Sequence, residues 1–230
     1  MSHVVHPYAH RLVILRDWKS RWFGVGKGYA KTLKEDVLVR EYLEKKLRGS
    51  LVSGIEIERN RNTFRIIIKT GRAGVLIGRG GEGSVKLKED IVTFFKKRAL
   101  ALPEDIKVDI EEVKQPEADA ALVAQMVAEG LEKRLTFRRI LKQMIEKVMA
   151  NRNVKGAKIA LSGRLGGADM GRRESIKRGT IPLQTFRADI DFAREKAHMP
   201  YGDIGIKVWV YKGEVFQAEK DAHTRGQEHK

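Results

Sequence analysis

Residues 78–83 read GRGGEG, and two chemistries share that stretch. Gly78, Gly80 and Gly83 have the G-x-G-x-x-G spacing that brings a backbone close to a dinucleotide pyrophosphate. Gly78, Arg79, Gly80 and Gly81 equally satisfy the G-x-x-G of a loop that clamps a nucleic-acid backbone, with Arg79 adding positive charge. In both cases the glycines remove side-chain obstruction so that loop amides can face phosphate oxygens.

Three other constellations could do chemistry. Arg138, Arg139 and Lys142 follow the apolar positions Phe137, Ile140, Leu141, Met144 and Ile145. At about 100° per residue they fall within an arc of about 100° away from the apolar stripe, a basic face that either contacts phosphates or is simply solvated. Arg164, Arg172, Arg173, Lys177 and Arg178 lie in a connection punctuated by Gly163, Gly166, Gly167, Gly171 and Gly179. Glycine at that density predicts a flexible basic segment, ordered by folded RNA or left as a mobile surface loop. Asp189 and Asp191 stand two apart on a strand, so they share a face, as in a metal-dependent nuclease site. No third carboxylate motif accompanies them, and Arg187 on the same face favours charge pairing. His6 and His10 are four apart, but Pro7 opposes a helix spanning both, so no metal site is expected.

Composition narrows the partners. The chain has 230 residues with 46 Lys and Arg against 30 Asp and Glu, a formal charge of +16. That excess calls for a polyanion, either nucleic acid or an anionic membrane surface. No apolar run approaches the ~20 residues of a membrane span, and the first residues lack the apolar core of a signal peptide, which predicts a cytoplasmic protein. With no cysteine, disulfides, thiolate zinc sites and thiol catalysis are excluded.

The elements that must position these groups follow from periodicity. Residues 1–28 are aromatic and basic without a helical or strand period and predict an extended arm with some local structure. A helix is expected from Tyr29 to Arg48, then strands around Ile55–Glu58 and Phe64–Lys69, joined across Asn60-Arg61-Asn62. Val75-Leu76-Ile77 makes a short apolar turn before the glycine loop, a helix carries Leu87, Ile91, Phe94 and Phe95, and a strand alternates through Ile106, Val108 and Ile110. Val75, Ile77 and the helix stripe are expected to line a groove for about four nucleotides.

Pro116 marks a boundary. Beyond it come a helix over 117–134, a second helix from Phe137 to Met149, and three strands around 157–161, 186–192 and 204–210. The segments are thus an arm at 1–28, a domain at 29–114, a second domain at 115–213, and a polar tail at 214–230 expected to be disordered. The fold class is α+β, two domains, the second built of two helices and antiparallel strands.

Context decides the opening question. A dinucleotide fingerprint sits directly after its strand, whereas here Gly71–Ile77 intervene. Helix, strand, strand, short helix, G-x-x-G, helix, strand is instead the order of a K-homology domain of the second type. No P-loop lysine, H-E-x-x-H or Ser/His/Asp order is present, and no cofactor is implied.

Taken in order, VLIGRGGE (75–82), LTFRRILK (135–142), SGRLGGAD (162–169), TFRADIDF (185–192) and YGDIGIKVWVYKGE (201–214) closely resemble the bacterial small-subunit ribosomal protein S-three family, over nearly the whole chain. The resemblance implies a non-enzymatic structural protein of the small-subunit head. It would bind small-subunit ribosomal RNA and neighbouring head proteins of the S-ten, S-fourteen and S-two families, with no membrane contact. It would also line the entrance channel for messenger RNA, where Arg138, Arg139 and Lys142 match the family's basic site and aid unwinding during translation. A free K-homology RNA regulator and a nuclease using Asp189 and Asp191 are the alternatives.

Overall fold

The computed structural model describes residues 5–60, 62–100 and 105–216, apart from the side chain of Lys27. The chain forms two compact units, one of Trp18–Pro116 and one that joins residues 5–17 to residues 117–216.

In the first unit β1 (Ser20–Arg21) precedes α1 (Lys27–Lys46), β2 (Val52–Arg59), β3 (Thr63–Thr70), α2 (Ala73–Ile77), α3 (Glu82–Lys97) and β4 (Asp105–Glu112). The sheet runs β1-β2-β3-β4, antiparallel at β2/β3 and parallel at both outer pairs. Alternation buries Ile55, Ile57, Phe64, Ile66, Ile68 and Ile106 against Val39, Leu43 and Leu47 of α1 and Leu87, Ile91 and Phe95 of α3. A buried polar knot pins α1 to β2: Arg59 donates to Asp36 at 2.7 Å and to Glu35 at 2.8 Å, and Trp22 Nε1 donates to Asp36 at 2.6 Å. Both carboxylates are buried, so this arginine supplies the charge their burial requires.

The second unit contains α4 (Ala120–Glu132), α5 (Phe137–Ala150), β5 (Gly156–Gly163), β6 (Arg172–Gly179), β7 (Ala188–Met199) and β8 (Gly202–Glu214). Its sheet is antiparallel throughout in the order β6-β5-β8-β7. Both helices cover one face, with Val123, Val127, Ile140, Leu141, Ile145 and Val148 packed on Ile159, Leu161, Ile206 and Val208. Asp119 caps α4 by accepting from the amides of Ala121 at 2.9 Å and Leu122 at 3.2 Å.

Residues 5–17 of the arm, expected to be extended with some local structure, belong to the second unit. Ala9–Arg11 form a turn of 3-10 helix, and the Arg11 side chain is wholly buried. Its guanidinium donates to the carbonyls of Ala188 at 2.6 Å, Leu183 and Thr185 at 2.9 Å, Pro7 at 3.1 Å and Pro182 at 3.4 Å. Five oxygens thus solvate a cation whose burial lowers its pKa from the usual value, against an opposing pull from Asp189. His6 meets Phe192 edge-on at 4.8 Å and His10 stacks on Phe186 at 4.3 Å, so each ring has an aromatic neighbour.

A second correction concerns the basic connection. Residues 172–179, expected to be flexible, form the edge strand β6, paired with β5 from Gly156↔Gly179 to Gly163↔Arg172. Glycine supports that pairing where a side chain would collide: a Cβ on Gly156 would lie 2.0 Å from the Thr180 carbonyl oxygen. At the other boundary Glu214 ends β8, and Val215 still donates to the Arg187 carbonyl at 2.9 Å, so the strand consumes the first residue assigned to the tail. Residues 217–230, the rest of that tail, lie outside the described residues.

Candidate nucleic-acid interface

Three surfaces hold the residues singled out from sequence. In the first unit, α2 ends at Gly78 and a 3-10 turn, Arg79–Gly81, leads into α3. Gly78, Gly80 and Gly81 have φ of 69°, 61° and 84°, the left-handed region that side chains resist. Arg79 and Gly80 are exposed, and nothing lies within 4 Å of where a Gly80 Cβ would be, so the loop's apex is open. Gly83 has a different task. A Cβ there would meet the Leu76 carbonyl oxygen at 2.3 Å, so its glycine lets α2 seat against the first turn of α3. The G-x-G-x-x-G coincidence therefore joins two glycines of an open turn to one of helix packing.

The expected groove is smaller than periodicity suggested. Leu87, Ile91 and Phe95 face the sheet and are buried, so they line no groove. Val75, Ile77 and Val85 instead stand exposed beside the loop, at 68%, 39% and 59%, an apolar shelf next to open amides and Arg79.

In the second unit, Arg138, Arg139 and Lys142 are all exposed on the outer face of α5, opposite its buried stripe. Among the described residues Arg139 and Lys142 make no ion pair, while Arg138 lies 3.4 Å from Glu174. Arg172 also reaches Glu174 at 3.4 Å, and the guanidinium carbons of Arg138 and Arg172 lie 5.6 and 5.5 Å from the centre of the Phe137 ring. One carboxylate and one ring thus knit the helix face to β6. Arg178 continues the link with Glu146 of α5 at 3.8 Å.

The basic segment is therefore split by strand alternation. Arg172, Glu174 and Arg178 lean toward α5, whereas Arg173 and Lys177 project from the opposite side of the sheet. Arg164 belongs to neither set. It donates to the carbonyls of Ala168 at 2.9 Å and Tyr201 at 3.3 Å and pairs with Asp169 at 3.2 Å, holding the 165–167 turn to the β7–β8 hairpin. Its sequence context gave no signal of that internal role, nor of the coupling through Glu174.

Comparison with known proteins agrees with this geometry. A family profile described as the KH domain matches residues 38–118, and one described as ribosomal protein S3, C-terminal domain, matches residues 127–210. The chain is 43% identical over 220 residues to the small ribosomal subunit protein uS3 of Clostridium novyi, covering 96% of each. It is 44% identical over 225 residues to that of Clostridium botulinum strain Okra, covering 98% of each. The corresponding protein of Caldicellulosiruptor bescii is 43% identical over 226 residues, 98% of this chain and 99% of the relative. The chain belongs to the ribosomal protein S3 family.

S3 proteins are non-enzymatic, and the aspartates once open to a nuclease reading do structural work in this member of the family. A bulge separates Asp189 from Ile190, Asp189 pairs with Arg16 at 2.6 Å, and Asp191 accepts from the first amide of α4, that of Ala120, at 3.0 Å. A carboxylate at a helix N-terminus complements the dipole, so Asp191 anchors α4 to β7. Arg187, expected to compensate the two, pairs instead with Glu214 at 2.6 Å. Arg16 of the arm compensates Asp189, and Lys212 lies 3.9 Å from Asp191; burial lowers the Arg16 pKa, but Asp189 and Asp191 outweigh burial and raise it. Among the described residues no three His, Asp or Glu side chains converge, and no helix is long and apolar enough to cross a membrane.

Proposed function

We propose that this chain is a structural, RNA-binding component of the small ribosomal subunit head in the cytoplasm. It binds small-subunit ribosomal RNA and neighbouring head proteins of the S-ten, S-fourteen and S-two families. The K-homology loop Gly78–Gly81 takes a strand of RNA against the Val75, Ile77 and Val85 shelf, and Arg172, Arg173, Lys177 and Arg178 add phosphate contacts around β6. Arg164 serves that surface by fixing its loop.

The α5 face carries a second task, lining the path by which messenger RNA enters. Its central support is that Arg139 and Lys142 are exposed and make no ion pair among the described residues, on a helix whose other face is locked into the core. Such cations hold separated strands electrostatically as translocation draws the message through, and the family's lack of enzymatic activity fits a passive role.

The test replaces Arg138, Arg139 and Lys142 together by alanine. All three are exposed, so folding and subunit assembly should be retained, and translation should slow selectively on messages with stable hairpins. Unchanged hairpin sensitivity in ribosomes carrying the variant would defeat the channel role.

A further inference from the structure

The face of the second sheet that turns away from α4 and α5 carries a set of cations that no described residue neutralises. Register places them side by side: Arg194 opposite Lys207, Lys158 opposite Lys177 and Trp209, and Arg173 opposite Ser162. Among the described residues none of Lys158, Arg173, Lys177, Arg194 and Lys207 makes an ion pair or a side-chain hydrogen bond. Elsewhere in the same unit arginines find carboxylates, as Arg138 and Arg172 do with Glu174, Arg178 with Glu146 and Arg187 with Glu214. Among the described residues the register supplies this face with Asp203 at the hairpin end, which His198 already engages at 2.6 Å, and Glu214 opposite Ala188, which Arg187 engages at 2.6 Å.

The floor beneath is closed and apolar. The connection between β6 and β7 brings Ile181 and Leu183 over Ile190, Trp209 and Tyr211, leaving the Arg194–Lys207–Ser175 end of the sheet open. Trp209 is 6% exposed under Lys158, whose ammonium sits 5.2 Å from the ring centre, and Arg194 lies 5.4 Å from the ring centre of Phe192. Between Arg173 and Lys207 lies a depression of about 120 Å³, floored by Ala160 and rimmed by Ser162. A Cβ on the neighbouring Gly205 would approach the Ser162 hydroxyl to 3.0 Å.

We infer that this open sheet face is a second RNA contact surface, binding the phosphodiester backbone through Lys158, Arg173, Lys177, Arg194 and Lys207. Unneutralised cations at strand spacing repel one another, and a polyanion relieves that repulsion while releasing its own counterions. Sheets that read bases present open aromatic rings to stack on them. Here the tryptophan is buried, so recognition is by charge and does not depend on sequence. The inference rests on the ribosomal RNA-binding reading and extends it to a face that α5 does not reach.

The experiment uses the full chain, free and in small subunits. Binding of free protein to a 20-nucleotide oligouridine is followed by fluorescence anisotropy from low to moderate salt. Replacing Lys158, Arg173, Lys177 and Lys207 together by glutamine should make the log–log salt slope shallower by about 3, at ~0.7 per phosphate contact on a single strand. Circular dichroism verifies that the variant is folded, and the single variant Lys207→Gln, at an exposed site, should remove about 0.7 of slope if the quadruple change fails to fold. An unchanged slope overturns the proposal.

In assembled subunits, acetylation of Lys158, Lys177 and Lys207 by an amine-reactive ester, read by mass spectrometry, should fall at least tenfold relative to free protein and recover after ribonuclease treatment. Protection that survives ribonuclease would assign the face to a protein partner and sink the RNA assignment. Failure of the chain to co-sediment with subunits would instead strike at the ribosomal reading, and the oligouridine slope would still decide this one.

Discussion

Arg138 Nη2 on α5 lies 3.4 Å from Glu174 Oε1 on β6, joining a helix face and an edge strand that 36 residues of chain separate. Because Arg172 shares the same oxygen at 3.4 Å, this single carboxylate restrains two cations of the basic surface. An exposed pair of this kind contributes ~1 kcal/mol or less to stability, so its consequence is electrostatic. Glu174→Gln should leave the unfolding midpoint nearly unchanged while tightening RNA binding severalfold at low salt and steepening the log–log slope by about one contact's worth. Affinity measured at several salt concentrations checks this, and weaker binding would show that Glu174 positions the arginines productively instead of holding them back.

Arg11 is the keystone of the second unit. Its removal would strand carbonyls of Ala188, Leu183 and Thr185 that it now satisfies, each costing ~1 kcal/mol or more when buried. Arg11→Ala should lower stability by about 3 kcal/mol or more, and Arg11→Lys should rescue little, because an ammonium cannot fork toward so many acceptors. Limited proteolysis should show the loss in residues 117–216 first, with the unit Trp18–Pro116 resistant. Equal loss in both units would contradict a locally placed anchor.

The two kinds of glycine in the K-homology loop should separate experimentally. Gly80→Ala meets open space and incurs chiefly the left-handed backbone strain, about 1–2 kcal/mol. Gly83→Ala drives a Cβ to 2.3 Å from a backbone oxygen, so α2 must move away from α3. Thermal unfolding should show Gly83→Ala as the more damaging change, and near-equal midpoints would refute the packing role.

Tyr211 adds a pH dependence. Burial, then Glu214, raise its phenol pKa above the ordinary 10.0, with Arg187 opposing. Because the folded value is the higher, this contribution is fully present below the unfolded pKa and is lost as pH rises through the folded one. Between pH 9 and 12 the native chain should lose stability faster than Tyr211→Phe, as read by denaturant midpoints. Parallel curves would show that the phenol is not coupled to folding.

The periodic parts of this molecule were legible because their signal is local. The 3, 4, 7 spacing from Phe137 to Val148 both defines α5 and, by complement, exposes Arg138, Arg139 and Lys142. The alternation in β3 and β8 marked strands in the same way, and the order of elements around Gly78–Gly81 separated a K-homology loop from a dinucleotide fingerprint. The edge strand β6 escaped because Ile176 is the only apolar residue in RRESIKRG, and an edge needs charge more than it needs a second apolar row.

What sequence by itself determined was the charge, the class of partner, the helices and strands with a buried face, and the basic face of α5. These follow from composition and from repeats of two or three to four residues. Tertiary structure alone decided that Arg11 is solvated by carbonyls 171 to 177 positions away, that Glu174 couples α5 to β6, and that cations of four strands share one face. Each of those relations depends on strand register and chain path, and neither leaves a period in the sequence.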